Sequence, residues 1–223
     1  LKLNTRVSKD TEYILEMKKI DKQYPGVHAL DKVDLEIKAG EVLAVIGENG
    51  AGKSTLVKAL SGAVHMDSGE IILDGQTVPA DSIPKERMDL GISIIYQELN
   101  YLNEMTIAEN LFIGNVPLKG RMKRVDYKRM GKEARELISS FNLDYDPFTY
   151  VRDLTVAEKQ ILEILRAVSK DVKVLIMDEP TSSLNEVETK RLFEVINDLK
   201  KKGVAIIYIS HKMDEIFSIG DRV

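Results

Sequence analysis

The stretch GENGAGKST, residues 47–55, holds three glycines, a lysine and a hydroxyl residue at the spacing GxxxxGK[ST]. That spacing is the one a phosphate-cradling loop requires. Gly47, Gly50 and Gly52 let the main chain curl, so that the N–H groups of the loop, those of Glu48, Asn49 and Ala51 included, face one anion. A helix opening just behind adds the positive end of its dipole. In such a loop Lys53 sets its ammonium against the β and γ oxygens of a nucleoside triphosphate, Ser54 offers a hydroxyl to Mg²⁺ and Thr55 reaches the α-phosphate.

A second element is VLIMDEP, residues 174–180, an apolar strand pattern ending in two carboxylates. Asp178 can hold the Mg²⁺ shell, and Glu179 can point toward the γ-phosphate and orient a water. A positioned base of that kind contributes about 10²- to 10⁴-fold to rate. His211 follows VAIIYIS and Gln97 follows SIIY, so both also stand at strand ends. The carboxyl edge of an open α/β sheet is where such folds bind ligands. His28 and His65 lie in turn-like or polar surroundings and read as ordinary surface residues.

The elements that must position these groups follow from periodicity. YILEMKKI (13–20) and VDLEIK (33–38) alternate and predict half-exposed antiparallel strands. VLAVI (42–46), SIIY, VLIM and VAIIYIS do not alternate, as expected of strands buried on both faces of a parallel sheet. Helical patterns fall at 53–61, 126–142, 155–168 and 186–201. In DLTVAEKQ (153–160), Thr155 with Glu158 three places on is a capping box ahead of an apolar stripe. The expected fold is α/β: a phosphate-loop core with a mostly parallel sheet, an N-terminal antiparallel β-subdomain and an inserted helical subdomain. The expected division is a tail at 1–12, a core at 13–97 and 169–223, and helices without a convincing strand at about 98–168. IGDRV at the end reads as the start of a further strand.

Bulk numbers exclude several classes. With no cysteine among 223 residues, disulfides, thiolate metal sites and cysteine nucleophiles are ruled out. The net charge of −4, from 32 basic against 36 acidic residues, argues against a nucleic-acid surface. The basic run KGRMKR at 119–124 reads as a solvated loop.

Taken in order, GENGAGKST, Gln97, the helix start at 154–158, VLIMDEPTSSLNE and ISH at 209–211 resemble the ATPase cassette of the ATP-binding cassette transporters. The stretches DKQYPGVHALDKVDLEIKAGEVLAVIGENGAGKSTLVKALSG and SIIYQELN are similar to the N-terminal cassette of monosaccharide importer ATPases of the ribose and galactose type, which carry two cassettes in one polypeptide. The resemblance implies hydrolysis of ATP with Mg²⁺. It implies a peripheral position on the cytoplasmic face of the membrane, and as partners a second cassette, transmembrane permease subunits and, indirectly, a periplasmic or extracellular sugar-binding protein. Tyr24 matches the aromatic that stacks on adenine, Gln97 a γ-phosphate and metal contact, and His211 the switch histidine. Leu154, Thr155, Val156, Ala157 and Glu158 stand where the family has Leu-Ser-Gly-Gly-Gln, which caps the γ-phosphate bound by the opposite cassette. Val156 and Ala157 replace its glycines and predict a weakened contribution in trans. Ser183, Leu184 and Asn185 stand where the family usually has Ala-Leu-Asp. Alternatives are a nucleotide-gated module with weak hydrolysis, a soluble cassette ATPase acting on DNA or ribosomes, and a phosphate-loop kinase.

Overall fold

A computed structural model describes residues 12–48, 50–96 and 101–223. They divide into two compact units. The first comprises the described residues of Asn4–Gln97 with Asp171–Pro180 and Leu199–Val223, the second those of Glu98–Lys170 with Thr181–Asp198.

The first unit carries two sheets. β1 (Leu15–Tyr24) and β2 (Val27–Ile37) form an antiparallel hairpin across Pro25 and Gly26. Gly26 has φ +81°, the left-handed conformation that a Pro-Gly turn of this kind demands of its second central residue. β3 is Val42–Val45, α1 Lys53–Leu60, β4 Ser68–Leu73 and β5 Gln76–Thr77. The antiparallel sheet has the order β2-β1-β4-β5. β4 and β5 meet at Asp74 and Gly75, both at positive φ, which is the hairpin signature of an Asp-Gly pair. α2 (Pro84–Leu90) opens with proline at its first position, where no N–H is needed.

The parallel sheet takes β6 (Ile92–Ile95) at one edge and β3 at the other; between them run two strands reached later in the chain. Within the second unit come α3 (Ile107–Leu111), a short hairpin of β7 (Leu118–Lys119) and β8 (Arg124–Val125), α4 (Tyr127–Ser139), a 3-10 turn at Val151–Asp153 and α5 (Val156–Val168). Then follow β9 (Val174–Asp178), α6 (Glu186–Lys201), β10 (Ala205–Ile209) and α7 (Met213–Ile219). The strand order is β3-β10-β9-β6. β9 and β10 are buried along nearly their whole length, as their unbroken aliphatic runs require. Register sets Val45 level with Ile209, and Ile209 level with Asp178. All these strands run the same way, so every residue following them emerges on one edge.

The inward faces of both sheets join α1 in one core, with Leu15, Met17, Ile20, Ile71, Val57, Leu60, Ile176 and Ile207 among its buried members. Removing about 25 cal/mol of unfavourable hydration per Å² makes this cluster the main support of the unit. At the chain's end Arg222 bridges Leu43 in parallel, and Ala44 N–H donates to the Arg222 carbonyl at 2.8 Å, so IGDRV does begin to pair along β3.

The second unit is mainly helical, and α3 packs with α4 and α5. α4 turns Met130, Ala134, Leu137 and Ile138 inward, the stripe its sequence spacing draws. Its caps are local: the Asp126 carboxylate accepts from Arg129 N–H at 3.1 Å, and Thr155 opens α5 as a capping box.

Candidate nucleotide site

β3 ends at Val45 and α1 opens at Lys53. Gly50 and Gly52 have φ of +87° and +90°, a region that costs other residues strain. A Cβ on Gly52 would stand 2.5 Å from the Ala29 carbonyl oxygen and 3.2 Å from Leu30 Cδ2, so the loop lies directly against the β2 backbone. Glycine is required there twice over, by conformation and by space.

α1 differs from its neighbours at its start. Its N-cap Gly52 supplies no side-chain cap, and its first turn carries no acid. The α3, α4 and α5 starts are each closed by a Thr or Asp side chain. An uncapped helix start beside a glycine loop leaves N–H donors for an outside anion.

These elements line a cavity of about 960 Å³ together with Tyr24, Val27 and Ala29 of the hairpin, Asp178, Glu179 and His211. Of the residues singled out in the sequence, Tyr24, Gly47, Glu48, Gly50, Gly52, Lys53, Ser54, Thr55, Asp178, Glu179 and His211 all border it. Ala51 belongs to the same loop and is exposed. Asn49 and Gln97 lie outside the described residues. Leu154, Thr155, Val156, Ala157 and Glu158 belong to the second unit.

Lys53 Nζ donates to the carbonyls of Gly47 at 2.5 Å and Glu48 at 2.8 Å, which holds the ammonium over its own loop. Burial raises the Asp178 carboxyl above its ordinary pKa and the charge of Glu179 adds to this, while Lys53 pulls the other way. A half-buried carboxylate whose charged form is poorly solvated is the type of group a hard cation relieves. Ser54 and Asp178 both border the cavity and offer oxygen donors, which fit Mg²⁺ rather than a softer metal. Glu179 has φ +47°, and its N–H donates to the Ile209 carbonyl at 3.0 Å. That bond fixes an unusual left-handed residue where β9 ends, with its carboxylate 3.0 Å from His211 Nδ1. Tyr24 is partly exposed at the hairpin end, with Lys22 Nζ 5.5 Å from its ring centroid.

In the second unit, Glu158 Oε2 accepts from Thr155 N–H at 2.8 Å and from Thr155 Oγ1 at 3.0 Å, so its carboxylate is turned back onto the helix start. Val156 is 46% exposed, whereas Ala157 is 8% exposed and packs inward. Only the first of these two side chains therefore stands on the outer face of the α5 start. Asn185 caps α6, its Oδ1 accepting from Glu188 N–H at 3.0 Å.

Reasoning from sequence missed Val27 and Ala29 as cavity walls. Both stand at the start of β2 and border the cavity with Tyr24, but the Pro-Gly turn ahead of them marks only a hairpin and not what the hairpin folds over. It also missed Glu215, treated below.

Residues 30–182 match the family model described as ABC transporter. The chain is 50% identical over 209 residues to the ribose import ATP-binding protein RbsA of Clostridium tetani, covering 94% of this chain and 41% of that protein. It is 46% identical over 215 residues to the galactose/methyl galactoside import ATP-binding protein MglA of Clostridium perfringens, covering 96% of this chain and 41% of that protein. Against the xylose import ATP-binding protein XylG of Thermoanaerobacter pseudethanolicus the figures are 46% over 215 residues, 96% and 42%. The chain thus spans about two fifths of the length of these curated relatives. Among solved structures, the ADP conformation of an ATP-binding cassette of an ABC transporter superposes with a TM-score of 0.83 at 27% identity, covering 95% of this chain and 86% of that one. A nucleotide-free cassette gives 0.81 at 26% identity, covering 94% and 85%. Sequence, fold and the loop-strand cavity agree, and the chain belongs to the ABC transporter family.

Proposed function

We propose that this chain is an ATP-binding and ATP-hydrolysing cassette that energises uptake of a monosaccharide. One observation carries the reading: the glycine loop, the uncapped start of α1, Asp178, Glu179 and His211 border one cavity. The relatives, import ATP-binding proteins for ribose, galactose and xylose, suggest the substrate class.

In this reading the base of ATP stacks on Tyr24 and its triphosphate lies along residues 47–55. The main-chain N–H groups of the loop and the α1 start bind the phosphates, and Lys53 leaves the carbonyls of Gly47 and Glu48 for the β and γ oxygens. Ser54, Asp178 and Gln97 are the groups that would hold Mg²⁺, which supplies charge neutralisation on the phosphate oxygens. Glu179 orients the attacking water and accepts its proton. His211 steadies Glu179 and the γ-phosphate. Leu154, Thr155, Val156, Ala157 and Glu158 serve a nucleotide held by a second cassette, at reduced strength because Val156 stands in the approach.

The division that goes with this reading is a tail at 1–12, a core at 13–97 and 169–223 and a helical subdomain at about 98–168. The partners are a second cassette, transmembrane permease subunits and, through them, a sugar-binding protein; nucleic acid is not among them. The chain sits peripherally on the cytoplasmic face of the membrane. Among the described residues no helix is long and apolar enough to cross it.

The test is Glu179→Gln in the assembled transporter. ATP affinity should hold while turnover falls by about 10²- to 10⁴-fold, the worth of a positioned base. Wild-type turnover in that variant would refute the assignment. A wild-type protein that binds ATP but hydrolyses it no faster than the variant would favour a nucleotide-gated module instead.

A further inference from the structure

Glutamate occupies the third position of several helices in this chain, and there it turns back on its own helix start. Glu86 accepts the N–H of Ile83 at 3.0 Å, Glu109 that of Thr106 at 2.9 Å, Glu158 that of Thr155 at 2.8 Å and Glu188 that of Asn185 at 3.0 Å. Glu215 holds the same position in α7, three residues after Lys212, yet the α7 start has no side-chain cap. The Glu215 carboxylate is directed into the protein instead. Its Oε2 accepts from Tyr208 Oη at 2.9 Å and from Ser210 Oγ at 3.0 Å, and its Oε1 stands 3.1 Å from Lys212 Nζ. Ser210 Oγ in turn accepts the Lys212 N–H at 3.1 Å.

These partners are residues 208, 210 and 212, which bracket His211. Tyr208, Ser210 and Glu215 are 0%, 4% and 7% exposed, whereas the His211 side chain is 67% exposed. An exposed imidazole on a loop holds one rotamer only if its backbone is fixed on both sides. A buried carboxylate is costly unless its oxygens are filled, and here the two hydroxyls and the ammonium fill them. Spending an acid in this place, rather than on the helix cap, ties the end of β10 to the start of α7 across the histidine.

We propose that Glu215 is a positioning residue for His211, clamping the chain on either side of it so that the imidazole faces Glu179 Oε1. The proposal rests on the ATPase reading given above. Glu215 does not border the cavity; it acts through His211.

The test is a double-mutant cycle on ATP turnover in the assembled transporter, with ATP affinity measured in parallel. Glu215→Ala should lower kcat by about tenfold to a hundredfold, the cost of a small misplacement of a reacting group. ATP affinity should stay within about twofold, because the phosphate loop is untouched. On a His211→Ala background Glu215→Ala should cost nothing further, since the group it positions is gone. Glu215→Gln, which keeps an oxygen for both hydroxyls, should recover most of the turnover. Ser210→Ala severs one strut and runs the same cycle should Glu215→Ala fail to fold. Losses that add on the His211→Ala background, or wild-type kcat in both Glu215→Ala and Ser210→Ala, would overturn the proposal. Lys53→Ala in the same assay separates the two claims: if it keeps wild-type turnover the ATPase reading itself has failed, and if it is inactive while the cycle is additive, the role of Glu215 alone has.

Discussion

Asp178 shows how a single residue carries the tension of this site. The strand that leads to it is sealed in the sheet, so its carboxylate emerges half-buried, and burial first and Glu179 second raise its pKa despite Lys53 nearby. The folded pKa therefore lies above the unfolded one. At neutral pH the ionised group then costs stability, and this cost fades as pH falls through the folded value. Asp178→Asn should accordingly raise the melting temperature of metal-free protein by a few degrees at neutral pH, and the gain should shrink as the buffer is made acidic. The same variant should lose most of the stabilisation that Mg²⁺ gives the wild type in the presence of ATP. Thermal scans at two pH values with and without Mg²⁺ check both; an Asn variant less stable than wild type at neutral pH without metal would contradict the argument. Glu179 adjoins it at positive φ, a strained conformation held by the Ile209 carbonyl. Strain of about 1–3 kcal/mol at such a position persists only where surrounding structure enforces it.

At the scale of elements, the helix starts divide the work. α1 is left open beside its glycines, and α3, α4 and α5 are closed by their own side chains. For α5 the closure has a further meaning, because Glu158 is drawn onto Thr155 and Val156 alone stands outward. If α5 serves a second cassette as proposed, Val156→Gly should therefore raise turnover at the site this helix would complete. Ala157→Gly should not, and should cost about 1 kcal/mol of stability, since it removes a packed methyl and loosens the helix. ATPase assays and denaturant melts of the two single variants read this out. Equal gains from both would mean that the burial of Ala157 has no bearing on the anion face.

Much at this scale was legible in the sequence. The buried strands announced themselves by unbroken aliphatic runs, and four helices by apolar stripes beginning at 53, 126, 155 and 186. Shorter elements were not seen. β4 and β5 flank an Asp-Gly turn, and α2 begins with Pro84 and has Glu86 at its third position, but elements of six, two and seven residues are too brief for periodicity to register. The hairpin of β7 and β8 interrupts a stretch that reads as helices and loops for the same reason.

For the molecule as a whole, the order of motifs was legible because a parallel sheet converts chain order into spatial convergence. Each buried strand delivers its next polar residue to the same edge, so Lys53, Asp178, Glu179 and His211 meet although 158 residues separate the first from the last (211 − 53). What could not be read was which side chains fill the spaces between. Val27 and Ala29 line the cavity because the hairpin folds over the loop, and Glu215 reaches Tyr208 because α7 returns toward the strand it left. Both are tertiary facts with no local signature. All of it depends on the loop at residues 47–55 binding a triphosphate, which is measured most directly by titrating radiolabelled ATP with Mg²⁺ onto the purified wild-type protein and onto Lys53→Ala. The wild type should saturate at or below about millimolar ATP, and loss of the ammonium, a charge-assisted contact of about 1.5–3 kcal/mol, should weaken binding by about tenfold or more. A well-folded wild type that takes up no ATP at millimolar concentration, or a Lys53→Ala variant with unchanged affinity, would contradict the account.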